Sequence, residues 1–172
     1  MPSCGRARLV AQVWLGLGSN LGDRARHIER ALAALSRMGS VAVISPLYET
    51  EPWGLVDQPR FLNGVCQLEA DRGPHGLLDW LKRLERQLGR VETVRNGPRV
   101  IDLDILMIDA LRIATPRLTV PHRGMLARST VLVPLARIAP DLRHPVSGRT
   151  VSEHLLDLGN THDVAPYPPG LS

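Results

Sequence analysis

The chain has 172 residues, 44% of them hydrophobic and 22% charged, and a net charge of +4. That length suits one domain, 1–172, with a core large enough to need no disulfide staples, and no apolar stretch approaches the roughly 20 residues of a membrane-spanning helix. Cys4 and Cys66 are the only cysteines and lack Cys-x-x-Cys spacing, which argues against a zinc site and a disulfide framework, and the N-terminal segment lacks a signal-peptide pattern.

A cytoplasmic monomer is expected. The cationic charge is almost all arginine, with Lys82 the single lysine. Arginine's planar fork grips phosphate bidentately, so a phosphate-rich ligand is one reading and coding composition the other.

In chain order, Val10 to Leu17 alternates as a strand and breaks at Gly16, Gly18 and Gly22. Asp23 reads as the N-cap of a helix carrying Ile28, Ala31, Leu32 and Leu35 at helical spacing and ending at Gly39. Val41 to Tyr48 reads as a strand, Glu51 to Pro59 as a loop and Phe61 to Glu69 as a second strand. Pro74 opens a helix with Leu77, Leu81, Leu84 and Leu88 on one face, ended by Gly89. A loop from Val91 to Arg99 leads into the apolar strand Val100 to Ile108.

Further on, Leu111 to Ile113 suggests a short edge strand, Thr119 to His122 opens a turn, and Ser129 to Ile138 is a helix or breaks at Pro134. Val151 to Leu158 is a short helix. The folded core is expected over 9–158, with 159–172 a loosely packed tail. The order β-α-β-β-α-β predicts an α+β, ferredoxin-like fold in which helices flank an antiparallel sheet as α/β/α layers.

Two aspartates interrupt the last of these strands. Side chains alternate across a strand, so Asp102 and Asp104 share one face while Ile101, Leu103 and Ile105 line the other. Two carboxylates side by side repel unless a cation lies between them. A hard divalent ion such as Mg2+ suits, and Mg2+ held by one or two carboxylates usually also binds substrate phosphates. The competing reading, a solvated edge strand, fits poorly with so apolar a run.

Arg90, Arg95 and Arg99 are spaced along the preceding loop, where guanidinium groups could neutralise transferring phosphoryl groups. His122 and Arg128 lie on one later turn. Trp53 and Phe61 flank the Glu51–Pro59 loop as a stacking surface for a planar ring, and Asn63, on the strand face of Phe61, can read that ring's polar edge.

Together these segments resemble the 6-hydroxymethyl-7,8-dihydropterin pyrophosphokinase family. The likeness runs through Gly16-Leu-Gly-Ser-Asn-Leu-Gly22, Tyr48-Glu-Thr-Glu-Pro-Trp-Gly54, Asp57-Gln-Pro-Arg-Phe-Leu-Asn63, Gly97-Pro-Arg-Val-Ile-Asp-Leu-Asp104 and Leu118-Thr-Val-Pro-His122. It implies transfer of pyrophosphate from ATP to the hydroxymethyl group of the reduced pterin, with release of AMP.

It also implies that Asp102 and Asp104 hold two Mg2+ ions, that Arg90 and Arg99 stabilise charge on the transferred group, and that Arg95, Arg117, His122 and Arg128 lie on the ATP side. Phe61 would stack on the pterin, with Thr50, Trp53 and Asn63 around it and Glu85 near the site. Where the family usually has a second aromatic this chain has Thr130, and its arginine loop carries Glu92 and Asn96 at positions often arginine and tryptophan. Lys82 stands where glutamine is common. The alternatives are another Mg2+-dependent nucleotide phosphotransferase, for which no Gly-x-x-x-x-Gly-Lys loop exists, and a ferredoxin-like nucleic-acid-binding module, which the two strand aspartates disfavour.

Overall fold

The computed structural model describes residues 10–52, 54, 57–94 and 96–168. Strand β1 covers Ala11–Ser19. Helix α1, Arg24–Met38, is capped by Asp23, whose carboxylate accepts the Arg26 N–H at 3.1 Å, and Gly39 closes it. Strands β2 (Ser40–Ile44), β3 (Tyr48–Thr50) and β4 (Phe61–Ala70) follow, then helix α2 (Pro74–Gln87) and strand β5 (Asp102–Ile108). All pairings in the main sheet are antiparallel, in the order β5-β1-β4-β3 and then Val164–Pro166 beyond β3, with β2 also on β4, so the fold is ferredoxin-like as expected.

The strand expected over Val41–Tyr48 is two strands. Ser45 folds over β4 instead of continuing the ladder: its N–H donates to the Val65 carbonyl and its hydroxyl accepts the Val65 N–H, both at 2.9 Å. Pro46, which has no N–H to offer, completes the break. Gly16 and Gly18 are likewise not breaks, since both lie inside β1.

Beyond β5, strands β6 (Ile113–Ala114) and β7 (Thr119–Val120) form a separate two-stranded ribbon, followed by a 3-10 turn at Met125–Ala127. Helix α3 runs unbroken over Ser129–Ile138 with Pro134 inside it. Helix α4, Val151–Leu158, opens with a capping box between Thr150 and Glu153. The segment expected as a loose tail supplies a strand, β8 (Val164–Pro166), paired with β3, and the Asp163 carboxylate accepts the Ser129 hydroxyl at 2.9 Å. An edge strand of only three residues leaves little trace in a segment containing three prolines.

The sheet divides the core into two layers because its side chains alternate. Val13, Leu15 and Leu17 of β1 pack under α1 and α2 with Ile28, Leu35 and Leu81. Trp14, Val65 and Leu106 meet Leu132 and Leu135 of α3 and Val151 of α4 on the other face. Each fully buried aliphatic side chain contributes about 1.5–3 kcal/mol. Cys66 belongs to the first layer, and burial pushes its thiol up to about 12. No helix among the described residues is long and apolar enough to cross a membrane.

Candidate active site

On the α3 side the sheet leaves a hollow where apolar packing stops. Gly18 sits between Asp102 on β5 and Asn63 on β4, and Gly16 between Asp104 and Val65. These glycines make a floor without side chains. A Cβ at Gly18 would lie 3.0 Å from Asn63 Oδ1 and just under 4 Å from both Asp102 and Phe61, and one at Gly16 would stand in ordinary contact with Leu106 at 3.5 Å. The cleft over this floor is bounded by Phe61, Asn63, Asp102, Asp104, His122 and Arg128 and opens to solvent.

Asp102 receives two guanidinium groups: Arg90 Nη1 at 2.6 Å on one oxygen and Arg99 Nη1 at 3.1 Å on the other. Burial raises its pKa, but Arg99 and then Arg90 outweigh that, and the carboxyl is held below its ordinary value. Asp104 goes the other way. Burial first, and the charge of Asp102 second, raise its pKa above the ordinary aspartate value.

Behind the pair lies Glu85 on α2, 2% exposed. Its Oε1 accepts the Leu103 N–H at 2.7 Å, between the two aspartates in sequence, and pairs with Lys82 at 2.9 Å and Arg90 at 2.8 Å. Burial raises its pKa, and Lys82, Leu103 and Arg90 oppose that rise.

His122 is fixed at both ends, its N–H donating to the Leu106 carbonyl at 2.8 Å and its Nδ1 accepting the Gly124 N–H at 3.1 Å. The ring's donor is therefore Nε2. Burial lowers its pKa, although Asp104 pulls the other way.

At the other end of the cleft, Asn63 Nδ2 donates to Thr50 Oγ1 at 2.6 Å, leaving Oδ1 over Gly18 as an acceptor. Arg99 spans the two halves: besides binding Asp102, its guanidinium carbon lies 5.5 Å from the centre of the Phe61 ring.

Of the residues expected from sequence, the structure brings Thr50, Phe61, Asn63, Arg99, Asp102, Asp104, His122 and Arg128 to one cleft. Arg90 reaches it through Asp102 without lining it. Arg117 is apart, exposed and paired with Asp79, beside an adjoining hollow that it shares with Lys82, Asp104 and His122. Trp53 and Arg95 lie outside the described residues, as does Cys4. Thr130, in place of an aromatic, does line the cleft. Sequence reading took Gly16 and Gly18 as strand breaks, where the structure makes them the floor, and named Asn96 only as a departure from the family's loop, where the structure has it line the cleft; the signal for the floor was two glycines spaced to share one strand face.

The donor set can be tested against a metal ion. No group of three or more His, Cys, Asp and Glu side chains that could hold one occurs among the described residues. Two carboxylates on one face do not make an all-protein cage. They fit Mg2+, which keeps several waters and completes its octahedron with substrate oxygens. Asp104 is raised in pKa first by burial and then by the charge of Asp102, and a cation beside the pair would relieve that second contribution.

Comparison with known proteins places the chain. Residues 14–140 match the sequence model of the 7,8-dihydro-6-hydroxymethylpterin-pyrophosphokinase (HPPK) family. The 2-amino-4-hydroxy-6-hydroxymethyldihydropteridine pyrophosphokinase of Pseudomonas aeruginosa is 46% identical over 149 residues, 86% of this chain and 91% of that protein. The protein of the same description from Methylorubrum extorquens is 43% identical over 151 residues, covering 87% and 94% respectively. A crystal structure of wild-type Plasmodium falciparum HPPK-DHPS with pteroate superposes with a TM-score of 0.70 at 17% identity, over 86% of this chain and 42% of that one, a likeness of fold.

Proposed function

The chain belongs to the HPPK family and is a pyrophosphokinase of folate biosynthesis, and from that premise we propose that it transfers pyrophosphate from ATP to the hydroxymethyl group of 6-hydroxymethyl-7,8-dihydropterin, releasing AMP. The observation that carries this reading is the shared floor: Phe61 and Asn63 stand on the same sheet face as Asp102 and Asp104, one glycine-bearing strand away. A planar ring and a phosphate chain laid there would meet above Gly18.

Phe61 stacks on the pterin, and Asn63, steadied by Thr50, reads its polar edge. Trp53 is assigned to the same edge by the family likeness. Two Mg2+ ions held by Asp102 and Asp104 would supply positive charge to the triphosphate oxygens. Arg99 sits between ring and carboxylate, where the reacting hydroxyl and phosphorus must meet, and Arg90 adds a second guanidinium at Asp102. Both offset charge that develops on the transferred group. His122, through Nε2–H, with Arg128, Arg117 and Arg95, binds ATP phosphates. A single-domain, cytoplasmic monomer without nucleic-acid or membrane partners completes the proposal.

Incubation of the protein with ATP, Mg2+ and the hydroxymethyl pterin, with nucleotide products separated by chromatography, tests it. AMP in step with pterin consumed is the expected result. ADP would favour another Mg2+-dependent phosphotransferase and overturn the assignment.

A further inference from the structure

Around the start of α3, Arg128, Thr130 and Val131 line the cleft, and Ser129 between them is 8% exposed. No side-chain cap closes this end of the helix. The Ser129 hydroxyl instead donates to the Asp163 carboxylate, at 2.9 Å to one oxygen and 3.1 Å to the other. Asp163 lies beyond residues 14–140, the stretch that matches the family's sequence model.

Asp163 is exposed, but its backbone is fixed. The Val164 N–H donates to the Thr161 carbonyl at 3.1 Å, and β8 sets Val164 opposite Thr50 and Ala165 opposite Glu49 on β3. Next, the Tyr167 N–H donates to the Leu47 carbonyl at 2.9 Å, and the guanidinium carbon of Arg24 lies 5.9 Å from the centre of the Tyr167 ring. The carboxylate is therefore presented to α3 from a strand held on the sheet, and a negative charge at the start of a helix also suits its dipole.

On the other side of Ser129, the Arg128 carbonyl accepts the N–H groups of Val131 at 3.1 Å and Leu132 at 3.0 Å, which ties it to the first turn. Arg128 itself is extended, with φ −119° and ψ 111°. Its guanidinium lies over Gly124, where a Cβ would meet Nε at 3.1 Å, and the Gly124 N–H is the donor that fixes His122 Nδ1. Arg128 thus reaches its place beside His122 from a backbone whose direction is set one residue later, at Ser129.

We infer that Asp163 is a positioning residue for the nucleotide: by holding the Ser129 hydroxyl it fixes the start of α3, and with it the Arg128 guanidinium that meets ATP phosphates. The inference rests on the proposed pyrophosphokinase reading. The sign of the effect is diagnostic. A carboxylate near a phosphate site repels the nucleotide through space, so by charge alone its removal would tighten ATP binding. By position, its removal loosens it.

The test is a titration of a non-hydrolysable ATP analogue with Mg2+ into wild type, Asp163→Ala, Asp163→Asn, Ser129→Ala and the double variant Ser129→Ala/Asp163→Ala, with Tm and the KM for the hydroxymethyl pterin recorded for each. Asp163→Ala and Ser129→Ala bind the analogue about three- to tenfold more weakly, the scale of one hydrogen bond. The double variant binds no more weakly than either single one, because the two residues act as one unit. Asp163→Asn keeps an oxygen for the Ser129 hydroxyl and stays within about twofold of wild type, so it carries the test where Asp163→Ala lowers stability. The KM for the pterin stays within about twofold throughout, since Phe61 and Asn63 stand on β4.

A lower Tm with unchanged nucleotide affinity would mean that the bond only holds the C-terminal strand, and it overturns the inference. So does tighter nucleotide binding by Asp163→Ala, and so does a double variant whose loss is the product of the two single losses. In each of these cases wild type still releases AMP and the pyrophosphokinase reading stands. A wild type that releases no AMP from ATP and the pterin overturns that reading and the inference with it.

Discussion

Glu85→Ala is the substitution for which the structure gives the most definite expectation. The lost carboxylate leaves the Leu103 N–H, on a residue 0% exposed, without its partner, at a cost of about 1–3 kcal/mol. The two cations lose less. Lys82 is 37% exposed and can turn to water, and Arg90 keeps its 2.6 Å contact with Asp102, so the ion pairs add at most about 1 kcal/mol.

The sum is about 1–4 kcal/mol, and in a protein of this length each kcal/mol moves Tm by about 2–4 °C. Thermal unfolding at neutral pH should therefore show Tm down by about 2–16 °C. Glu85→Gln retains an oxygen for Leu103 and loses only the charge, so it should fall roughly half as far. If Glu85→Ala unfolds within 2 °C of wild type, the idea that Glu85 anchors β5 to α2 from beneath the aspartates is wrong.

Other substitutions test separate parts of the account. Thr130→Phe adds a second ring to the cleft, and a stack worth about 0.5–1.5 kcal/mol should tighten pterin binding about two- to tenfold by isothermal titration; unchanged affinity would mean that residue 130 does not face the ring. In a Cys4→Ser background, Cys66, buried and with its thiol pushed up to about 12, should resist an aromatic disulfide reagent in the native protein and react at once in denaturant.

His144 is 7% exposed and accepts the Ser147 N–H on Nδ1, and burial, with His154 and Arg112 nearby, lowers its pKa below 6.5. The unfolded chain thus binds that proton more readily. Stability from this group is complete above about pH 6.5 and declines as pH falls below it. Tm of His144→Gln should depend less on pH between 7 and 5 than that of wild type, and parallel curves would refute the assignment.

What could be read from the sequence follows from where each signal resides. Asp102 and Asp104 stood out because their cost is local: carboxylates in a buried strand demand a partner whatever the rest of the fold does. The helix bounded by Asp23 and Gly39 was equally local. Gly16 and Gly18 were misread as strand breaks because local propensity outvoted a tertiary need, the close approach of Asn63 and Leu106 over a bare floor.

The split between β2 and β3 depends on Ser45 bonding Val65 across the sheet, and β8 exists only because β3 offers an edge. Neither leaves a periodic trace. The hydrogen bonds that join Asn20 to Arg99 and Gln58, and Gln58 to Asn96, were invisible for the same reason: the fold brings these residues together.

Asp102 and Asp104 are proposed to act in the phosphate transfer and not merely to stabilise the strand. Single-turnover pyrophosphoryl transfer by Asp104→Asn, read alongside its Tm, separates the two. Burial first, and the charge of Asp102 second, raise the pKa of Asp104, so removing its charge relieves a desolvation cost as well as repulsion within the fold. The expected rate is lower by about 100-fold or more, with Tm equal to wild type or higher. A rate within threefold of wild type, or a loss of activity that merely tracks a lower Tm, would contradict it.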